Sequence, residues 1–501
     1  MERQPSRYDW AYSSIFRGLH VIFWWWLNPI LSLGSKRQLT DADLDDLSVN
    51  DKCSVLLNRL DYYVENNVWL TTGTWKIMLR AFWKECVLVV CLLLPYLVAR
   101  IVQPLLLRQI VLYIIEHNST HTDPPLTSFQ AYVGYVYAVT LFLCSITQIF
   151  IHTQAQFHAT RLGMRIRNAL SAVIYKHLLL LNTASLQQTT AAQTINLVAN
   201  DVSRFEELCV YMHLLWEAPL QAIIAFIFVW RYIGILPALF GFSLLIFLIP
   251  LQLLFGRQFS RYRKKTMACT DKRVQAVNEL INGSQIVKMY NWEKPIGLRV
   301  QKLRQDELAS IRRASRLRAV NMAFYFSSQA LISLATYGGS WLINDTLKSV
   351  DLFTALTFFG MIRVPVTNHL PVAIERYAEM FRASKRIDAF MRLTKIEDTI
   401  SRNIQIGTTA ISTNNASLTW KETVCLANLT INIESGSLVG IVGPVGAGKS
   451  SLLSAILGEM ILVRGDSKVF GSFSYAAQAS WIFADTIRSN IILNEPFEED
   501  R

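Results

Sequence analysis

Charged residues are scarce in this 501-residue chain: Asp, Glu, Lys and Arg make up 17% of it, whereas 52% of the residues are hydrophobic. An ordinary soluble protein carries about a quarter charged residues. The low charge therefore favours a membrane protein. Aromatic residues, at 11%, fit interfacial belts and a large soluble core equally well.

The sequence also shows neither CxxC pairs nor the residue pattern of a cleavable leader. The seven cysteines are scattered without a CxxC pair, which predicts neither a disulfide framework nor a metal site. No apolar segment with a small-residue cleavage site follows the charged start at residues 1–10, so we expect no signal peptide and a cytosolic N-terminus.

The positive charge is concentrated in one segment. The net charge is +12, and residues 257–318 alone hold 16 Lys and Arg against five Asp and Glu. Because this segment lies between hydrophobic runs, a cytoplasmic loop that obeys the positive-inside rule explains it better than a nucleic-acid surface does.

Six stretches are long and apolar enough to cross a bilayer as helices, which takes about 20 residues each. They are Cys86 to Ile115, Phe129 to His152, two stretches within Ala218 to Gly256, Ala319 to Asn344, and Leu352 to Ile374. Arg231, Gly234 and Pro237 mark a tight hairpin between the third and the fourth.

An even number of crossings returns the chain to its starting side. The connections after the second and fourth spans are long, basic and helical in pattern, so they should reach deep into the cytosol, with tips near Tyr175-Lys176 and Tyr290-Asn291-Trp292. Asn118-Ser119-Thr120 is a candidate glycosylation sequon on the outer side, and Asn344-Asp345-Thr346 a weaker one. The aromatic stretch Phe23 to Ile30 predicts a short interfacial helix.

The composition becomes soluble and β-rich after Arg392. Strands are predicted at Ala416 to Trp420, Leu426 to Ile433 and Ser437 to Val442. These patterns divide the chain into an N-terminal cytosolic segment at 1–80, a six-helix membrane domain at 81–395, and an α/β nucleotide-binding domain at 404–501.

A glycine-rich loop carries the clearest chemistry. Gly443-Pro444-Val445-Gly446-Ala447-Gly448-Lys449-Ser450 fits GxxxxGK[ST] between a predicted strand and a predicted helix that starts at Ser451. Its backbone N–H groups and the helix N-terminus suit phosphate oxygens. Lys449 would contact the β- and γ-phosphates of ATP, and the Ser450 hydroxyl would bind Mg²⁺.

Two further residues suggest a particular nucleotide site. Trp420 ends a strand at the start of the domain, where its ring could stack on adenine. Gln478, at a predicted strand end, could contact both Mg²⁺ and the attacking water.

Together, Trp420, the glycine loop and Gln478 resemble the adenine-stacking aromatic loop, the Walker A motif and the Q-loop of ATP-binding-cassette (ABC) transporters. The segment GPVGAGKSSLLSAILGE is especially similar to the first nucleotide domain of the C, or multidrug-resistance-associated, subfamily. FWWWLNPI, INLVANDVSRFEEL, NELINGSQIVKMYNWEK and AIERYAEMFRASKRIDAFM extend the resemblance over nearly the whole chain. Ala192 and Leu493-Asn494 depart from the family pattern.

This resemblance implies an ATP-driven exporter of amphipathic organic anions or xenobiotics, with cytosolic nucleotide domains and loop tips that dock on them. It also implies partners absent from residues 1–501: a second membrane domain, a second nucleotide domain, and the signature motif, Walker B and switch histidine. We therefore expect a short form of the subfamily, truncated in its first nucleotide domain, that binds ATP but does not hydrolyse it alone.

Other functions remain open. The chain could be a non-transporting regulatory or dominant-negative subunit, or a channel-like member of the same subfamily. A membrane-tethered P-loop kinase or GTPase explains Trp420, Gln478 and the long inner loops poorly.

Four residues are candidates for substrate contacts. Arg363 lies within the sixth span, where a charged side chain usually faces a cavity or a partner. Trp216, Phe324 and Tyr325 are aromatic candidates for the same cavity. An Arg that reaches the membrane surface and aromatic residues that face lipid are the alternatives.

Overall fold

The computed structural model describes residues 23–43, 47–66, 68–119, 128–181, 191–342, 348–393, 401–403, 409–420, 424–470, 474–476, 481–493, 495 and 497. The chain forms two compact units. One comprises Met1–Lys176 and Ala191–Arg392, and the other comprises His177–Thr190 and Leu393–Arg501. Helices build the first unit, and a four-stranded sheet is the main element of the second.

The first unit contains helices of very different lengths. They are α1 Asn28–Lys36, α2 Cys53–Glu65, α3 Val68–Thr72, α4 Thr74–Ala81, α5 Trp83–Ser119, α6 Ser128–Leu179, α7 Ala191–Asn196, α8 Ser203–Tyr211, α9 Leu214–Ile233, α10 Ile235–Asn282, α11 Ser284–Met289, α12 Glu293–Leu342, α13 Ser349–Val364 and α14 Leu370–Met391. Five-residue π-helical turns at Leu197–Asp201 and Pro365–His369 link α7 to α8 and α13 to α14.

Five helical stretches of the described chain are long and apolar enough to cross a membrane. They are Trp83–Glu116, Tyr132–Leu179, Gln193–Ile233, Ile235–Asn282 and Ser349–Met391. They contain five of the six predicted spans. The remaining one lies at the end of α12, where Asn321, Gln329 and several serines lower the mean hydropathy. That crossing stays a prediction.

The two long connections are helical extensions of the spans. Helices α6, α10 and α12 contain 52, 48 and 50 residues. At 1.5 Å per residue each is about 70 to 80 Å long, more than twice the roughly 30 Å of bilayer hydrocarbon. The predicted tip Tyr290-Asn291-Trp292 follows the short α11, and the side chains of Tyr290 and Trp292 are exposed.

A hydrophobic core joins the third, fourth and sixth spans. Phe358 of α13 is fully buried and stacks on Phe228 of α9, with ring centroids 5.3 Å apart. Ile332 of α12 packs into the same cluster. The predicted hairpin is present: Gly234, at φ 103°, separates α9 from α10. Glycine tolerates this positive φ, which permits two adjacent spans with a one-residue connection.

Ion pairs attach the segment before the first span to the membrane domain. Asp51 accepts hydrogen bonds from Arg161, at 2.5 Å, and from Arg165, at 2.6 Å, both on α6. Burial by itself would raise the pKa of Asp51, but the hydrogen bonds and charges of the two arginines outweigh it and hold that pKa below its usual value. Thr74 of α4 similarly donates to Asp388 of α14.

The second unit contains a mixed sheet. Its strands are β1 Ser401–Asn403, β2 Thr409–Thr419, β3 Val424–Glu434 and β4 Ile461–Phe470, in the order β1-β4-β2-β3. Strand β2 is antiparallel to both β3 and β4, and β1 is parallel to β4. Helix α15, Lys449–Ile456, packs on the sheet through Ala455, and α16 is Ile487–Ile492. The first two predicted strands are confirmed.

The third predicted strand is wrong as a strand. Ser437 to Val442 is irregular, and the side chains of Leu438 and Val442 are fully exposed. A strand requires backbone partners on a neighbouring strand. Within the described chain nothing pairs with this segment, so its apolar pattern is not sufficient to make it one.

Candidate nucleotide and membrane sites

The glycine loop has the geometry of an anion cradle. Gly446 and Gly448 have φ of 88° and 89°, a region that side-chain-bearing residues rarely adopt. Gly448 also caps α15, so the loop leads directly into a helix N-terminus. The local fold thus follows from the two glycines, which allow the chain to reverse before the helix begins.

Donors of this loop are available to a ligand. Lys449 Nζ donates to the carbonyl oxygens of Gly443 and Pro444, at 2.8 Å each, which places its ammonium over the loop. Among the described residues, the backbone N–H groups of Val445, Gly446 and Gly448 have no hydrogen-bond acceptor. Unpaired N–H groups beside a lysine and a helix N-terminus fit the phosphates of a nucleotide.

Trp420 lies beside this loop, and its stacking on adenine stays a prediction. Its indole Nε1 donates to Ser451 Oγ of α15, at 3.1 Å, and its ring packs against the cluster around Leu418 and Ala455. This hydrogen bond fixes the ring next to the first turn of the helix. The ring is partly buried, so only part of it is available to an adenine.

Of the two predicted Mg²⁺ ligands, Ser450 and Gln478, the structure describes only Ser450. Ser450 occupies the second position of α15 with an exposed side chain, on the same first turn as Lys449. This hydroxyl fits a metal held beside the phosphates. Gln478 lies outside the described residues, so its role stays a prediction.

The four predicted substrate residues do not form one cluster. The guanidinium of Arg363 lies 5.4 Å from the ring centroid of Tyr325, a cation–π pair between α13 and α12. Phe324 instead packs against Phe255. Trp216 packs near the buried cluster of the first two spans that includes Tyr96. The structure therefore brings together only Arg363 and Tyr325.

A row of buried polar side chains that begins at the residue before α9 and continues along this helix was missed by sequence reasoning. His213, Glu217 and Gln221 are four residues apart and each less than 10% exposed. Gln221 Nε2 donates to Glu217 Oε1 at 2.6 Å. The sequence prediction began the third span at Ala218 and so excluded Glu217 by one residue. Their spacing of four residues, which places polar side chains on one face of a helix, was the signal in the sequence that could have revealed this row.

Arginines of the first span also have interior partners. Arg100 donates to the carbonyl oxygen of Met361, at 2.7 Å, and Arg108 forms a 2.9 Å ion pair with Asp351 of α13. Arg100 also lines a cavity of about 400 Å³ together with Gln103 and Ser145. Polar groups thus line part of the interior of the membrane unit, where a polar ligand would find donors.

A polytopic helical unit and a glycine loop that leads into a helix N-terminus are the pattern of a membrane protein with a nucleotide-binding domain. Residues 87–366, more than half of the chain, match the family model described as "ABC transporter transmembrane region". Residues 426–485 match the model described as "ABC transporter". The chain therefore belongs to the ABC transporter family. It is a multi-pass membrane protein with part of a nucleotide-binding domain.

Its relatives are members of the C subfamily. The chain is 34% identical over 493 residues to ATP-binding cassette sub-family C member 4 of Homo sapiens, covering 96% of this chain and 36% of that protein. It is 28% identical over 510 residues to ATP-binding cassette sub-family C member 3 of Mus musculus, covering 95% of this chain and 33% of the relative. The chain thus spans about a third of the length of these relatives. The resemblance to this subfamily is confirmed.

Proposed function

We propose that this chain supplies the first membrane domain and the ATP-binding part of the first nucleotide domain of an ATP-driven exporter. The observation that carries the proposal is the pairing of the glycine loop with a multi-pass helical unit. The loop offers unpaired N–H groups and Lys449 to phosphates. The full activity requires a second membrane domain and a second nucleotide domain, in agreement with the greater length of the relatives.

ATP with Mg²⁺ is the proposed cofactor. Trp420 lies at the adenine side, the loop from Gly443 to Ser451 holds the phosphates, and Ser450 with Gln478 binds the metal. Positioned donors of this kind stabilise the charge of a phosphoryl group. Nucleotide binding then drives loops of the membrane domain between inward and outward access.

Amphipathic organic anions are the proposed substrates, and the plasma membrane is the proposed location, with the nucleotide domain in the cytosol. Arg363 supports the substrate class because its guanidinium lies over Tyr325 and its Nε is buried without a hydrogen bond among the described residues. A partly buried cation with an unused donor offers a site for an anionic group. Trp216 and Phe324 would contribute apolar contacts.

The test is uptake of a fluorescent carboxylate dye into inside-out vesicles that carry the transporter containing this chain. We expect ATP-dependent uptake that Lys449→Ala abolishes and that Arg363→Ala lowers several-fold, whereas nucleotide binding survives Arg363→Ala. Lys348→Ala, which removes a cation just before α13, serves as the matched control. Unchanged dye uptake by Arg363→Ala, at equal protein level, would show that Arg363 is not the anion contact.

A further inference from the structure

Two adjoining cavities lie between α10, α12 and α14 of the membrane unit. The larger, of about 520 Å³, is lined mostly by polar and charged side chains, including Arg257, Arg261, Arg382 and Glu375. The smaller, of about 180 Å³, is lined by Phe255, Phe259, Leu317 and Arg318. Gly256 and Asn321 line both. The cavities therefore form one cleft with a basic part and a mainly apolar part, in which the guanidinium of Arg318 lies 5.4 Å from the ring centroid of Phe259.

The basic part has unused capacity to bind an anion. Arg257, Arg261 and Arg382 form no hydrogen bond or ion pair with any described residue. Other arginines of this unit are paired, such as Arg386 with Asp201. Three unpaired guanidinium groups against the single carboxylate of Glu375 leave the cavity positively charged. Arginine favours phosphate because its planar donors can bind two oxygens at once.

Hydrogen-bond acceptors in the same cleft further restrict which class of ligand can bind there. The side-chain oxygen Oδ1 of Asn321 is buried and has no hydrogen-bond partner among the described residues. Glu375 offers a second acceptor. A bound group that carries only anionic oxygens would leave the buried Asn321 oxygen unpaired. The ligand should therefore combine an anionic phosphate with an amine or hydroxyl donor.

The cleft lies at the depth of a membrane surface. Arg257 is the first charged residue after an uncharged run that begins at Tyr232. Counted from the start of α10 at Ile235, Gly256 is about 31 Å along the helix, close to the thickness of bilayer hydrocarbon. The basic part thus falls at headgroup level, and the apolar part beside it suits an acyl chain.

We propose that this cleft binds an anionic phospholipid of the adjacent leaflet, with its phosphate on Arg257, Arg261 and Arg382 and an acyl chain against Phe255 and Phe259. Asn321 and Glu375 accept hydrogen bonds from the amine or hydroxyl groups of the headgroup. Basic pockets between spanning helices are a known way to hold such headgroups. The proposal concerns lipid and does not depend on which solute the protein exports.

Gly256 offers a way to block the cleft without changing its charge. A Cβ added at Gly256 meets no atom within 4 Å. Leucine also favours a helix more than glycine does. Gly256→Leu should therefore fold normally and fill the junction between the two parts of the cleft.

The experiment uses the full chain in phosphatidylcholine nanodiscs that contain a minor fraction of phosphatidylserine with a photoreactive group in its acyl chain. We expect crosslinks to peptides containing Phe255, Phe259 and Leu317. The triple variant Arg257→Ala, Arg261→Ala, Arg382→Ala should lower the crosslinking yield at least tenfold, and Gly256→Leu at least fivefold. Unlabelled phosphatidylserine should compete better than phosphatidylcholine.

The matched control is the triple variant Arg263→Ala, Lys264→Ala, Lys265→Ala. It removes three cations of α10 that do not line the cleft. We expect less than a twofold change. An equal loss in this control would mean that general surface charge attracts the lipid, which overturns the site. Competition by soluble glycerophosphoserine as strong as that by the lipid would also overturn the proposal, because the site would then belong to a soluble organophosphate.

Discussion

Both units of this protein expose large apolar side chains, but in different surroundings. Along the predicted spans, Phe247 and Phe142 are more than 60% exposed, and a bilayer would cover such residues. In the second unit, Leu438 and Val442 are almost completely exposed on a segment that precedes the glycine loop. For a side chain that faces water, such exposure is unfavourable by about 25 cal/mol per Å². Exposure therefore marks a lipid-facing surface in the first unit and an unpaired segment in the second.

The largest effect should come from the core of the first unit. Phe358→Ala removes a fully buried ring and its stacking on Phe228, so we expect a loss of about 3 to 5 kcal/mol in stability. Phe353→Ala, on the exposed face of the same helix, is the control and should change little. Thermal unfolding in detergent measures both. Equal effects of the two substitutions would contradict the assignment of core and lipid faces.

The second prediction separates the units by function. Lys449→Ala removes the ammonium held over the phosphate loop, and we expect nucleotide affinity to fall by one to two orders of magnitude, about 1.4 to 2.7 kcal/mol. Thermal unfolding of the membrane unit should not change. Lys468→Ala, an exposed lysine of β4, is the control. Fluorescent ATP binding in the presence of Mg²⁺ is the measurement, and full binding by Lys449→Ala would refute the site.

Third, Asp51→Asn should loosen the segment before the first span. Two arginines would lose their carboxylate partner, which costs about 1 to 3 kcal/mol. Limited proteolysis should cut residues 47–81 several-fold faster. Asp271→Asn, which neutralises an exposed carboxylate of α10, is the control and should have little effect.

The contact of Asp51 with the two arginines also predicts that mild acid leaves the protease resistance of this segment unchanged. The pKa of Asp51 is lower in the folded protein than its usual value of about 3.9. The contribution of this carboxylate to stability is therefore complete above about pH 3.9, and it is lost only as the pH falls through the lower pKa of the folded state. Proteolysis at about pH 5.5 should therefore match that at about pH 7.5. A loosened segment at the lower pH would show that this carboxylate does not carry the contact.

The smallest effect is expected at the exposed segment of the second unit. Leu438→Ser changes a side chain with no packing to lose, so stability should move by less than about 0.5 kcal/mol. Aggregation should decrease, since an apolar surface is removed. Leu418→Ser, at a 1% exposed position of β2, is the control and should unfold the sheet. Strong destabilisation by Leu438→Ser would show that Leu438 is packed after all.

Much of the fold could be predicted from the sequence because its signals are local. Run length and the absence of charge located five of the spans, and Gly234 marked the hairpin. The glycine loop followed from spacing alone, since backbone conformation at Gly446 and Gly448 depends on the residues themselves. Family membership followed from the same motifs.

Contacts between distant residues required the tertiary structure. Sequence could not reveal that Arg363 meets only Tyr325 of its candidate partners, that Phe324 meets Phe255 instead, or that no described strand lies beside Ser437 to Val442. Periodicity reports which residues are apolar, whereas helix packing and strand pairing decide what each one contacts. The cleft around Gly256 is the clearest case, because three arginines without a partner among the described residues converge only when α10 and α14 pack together.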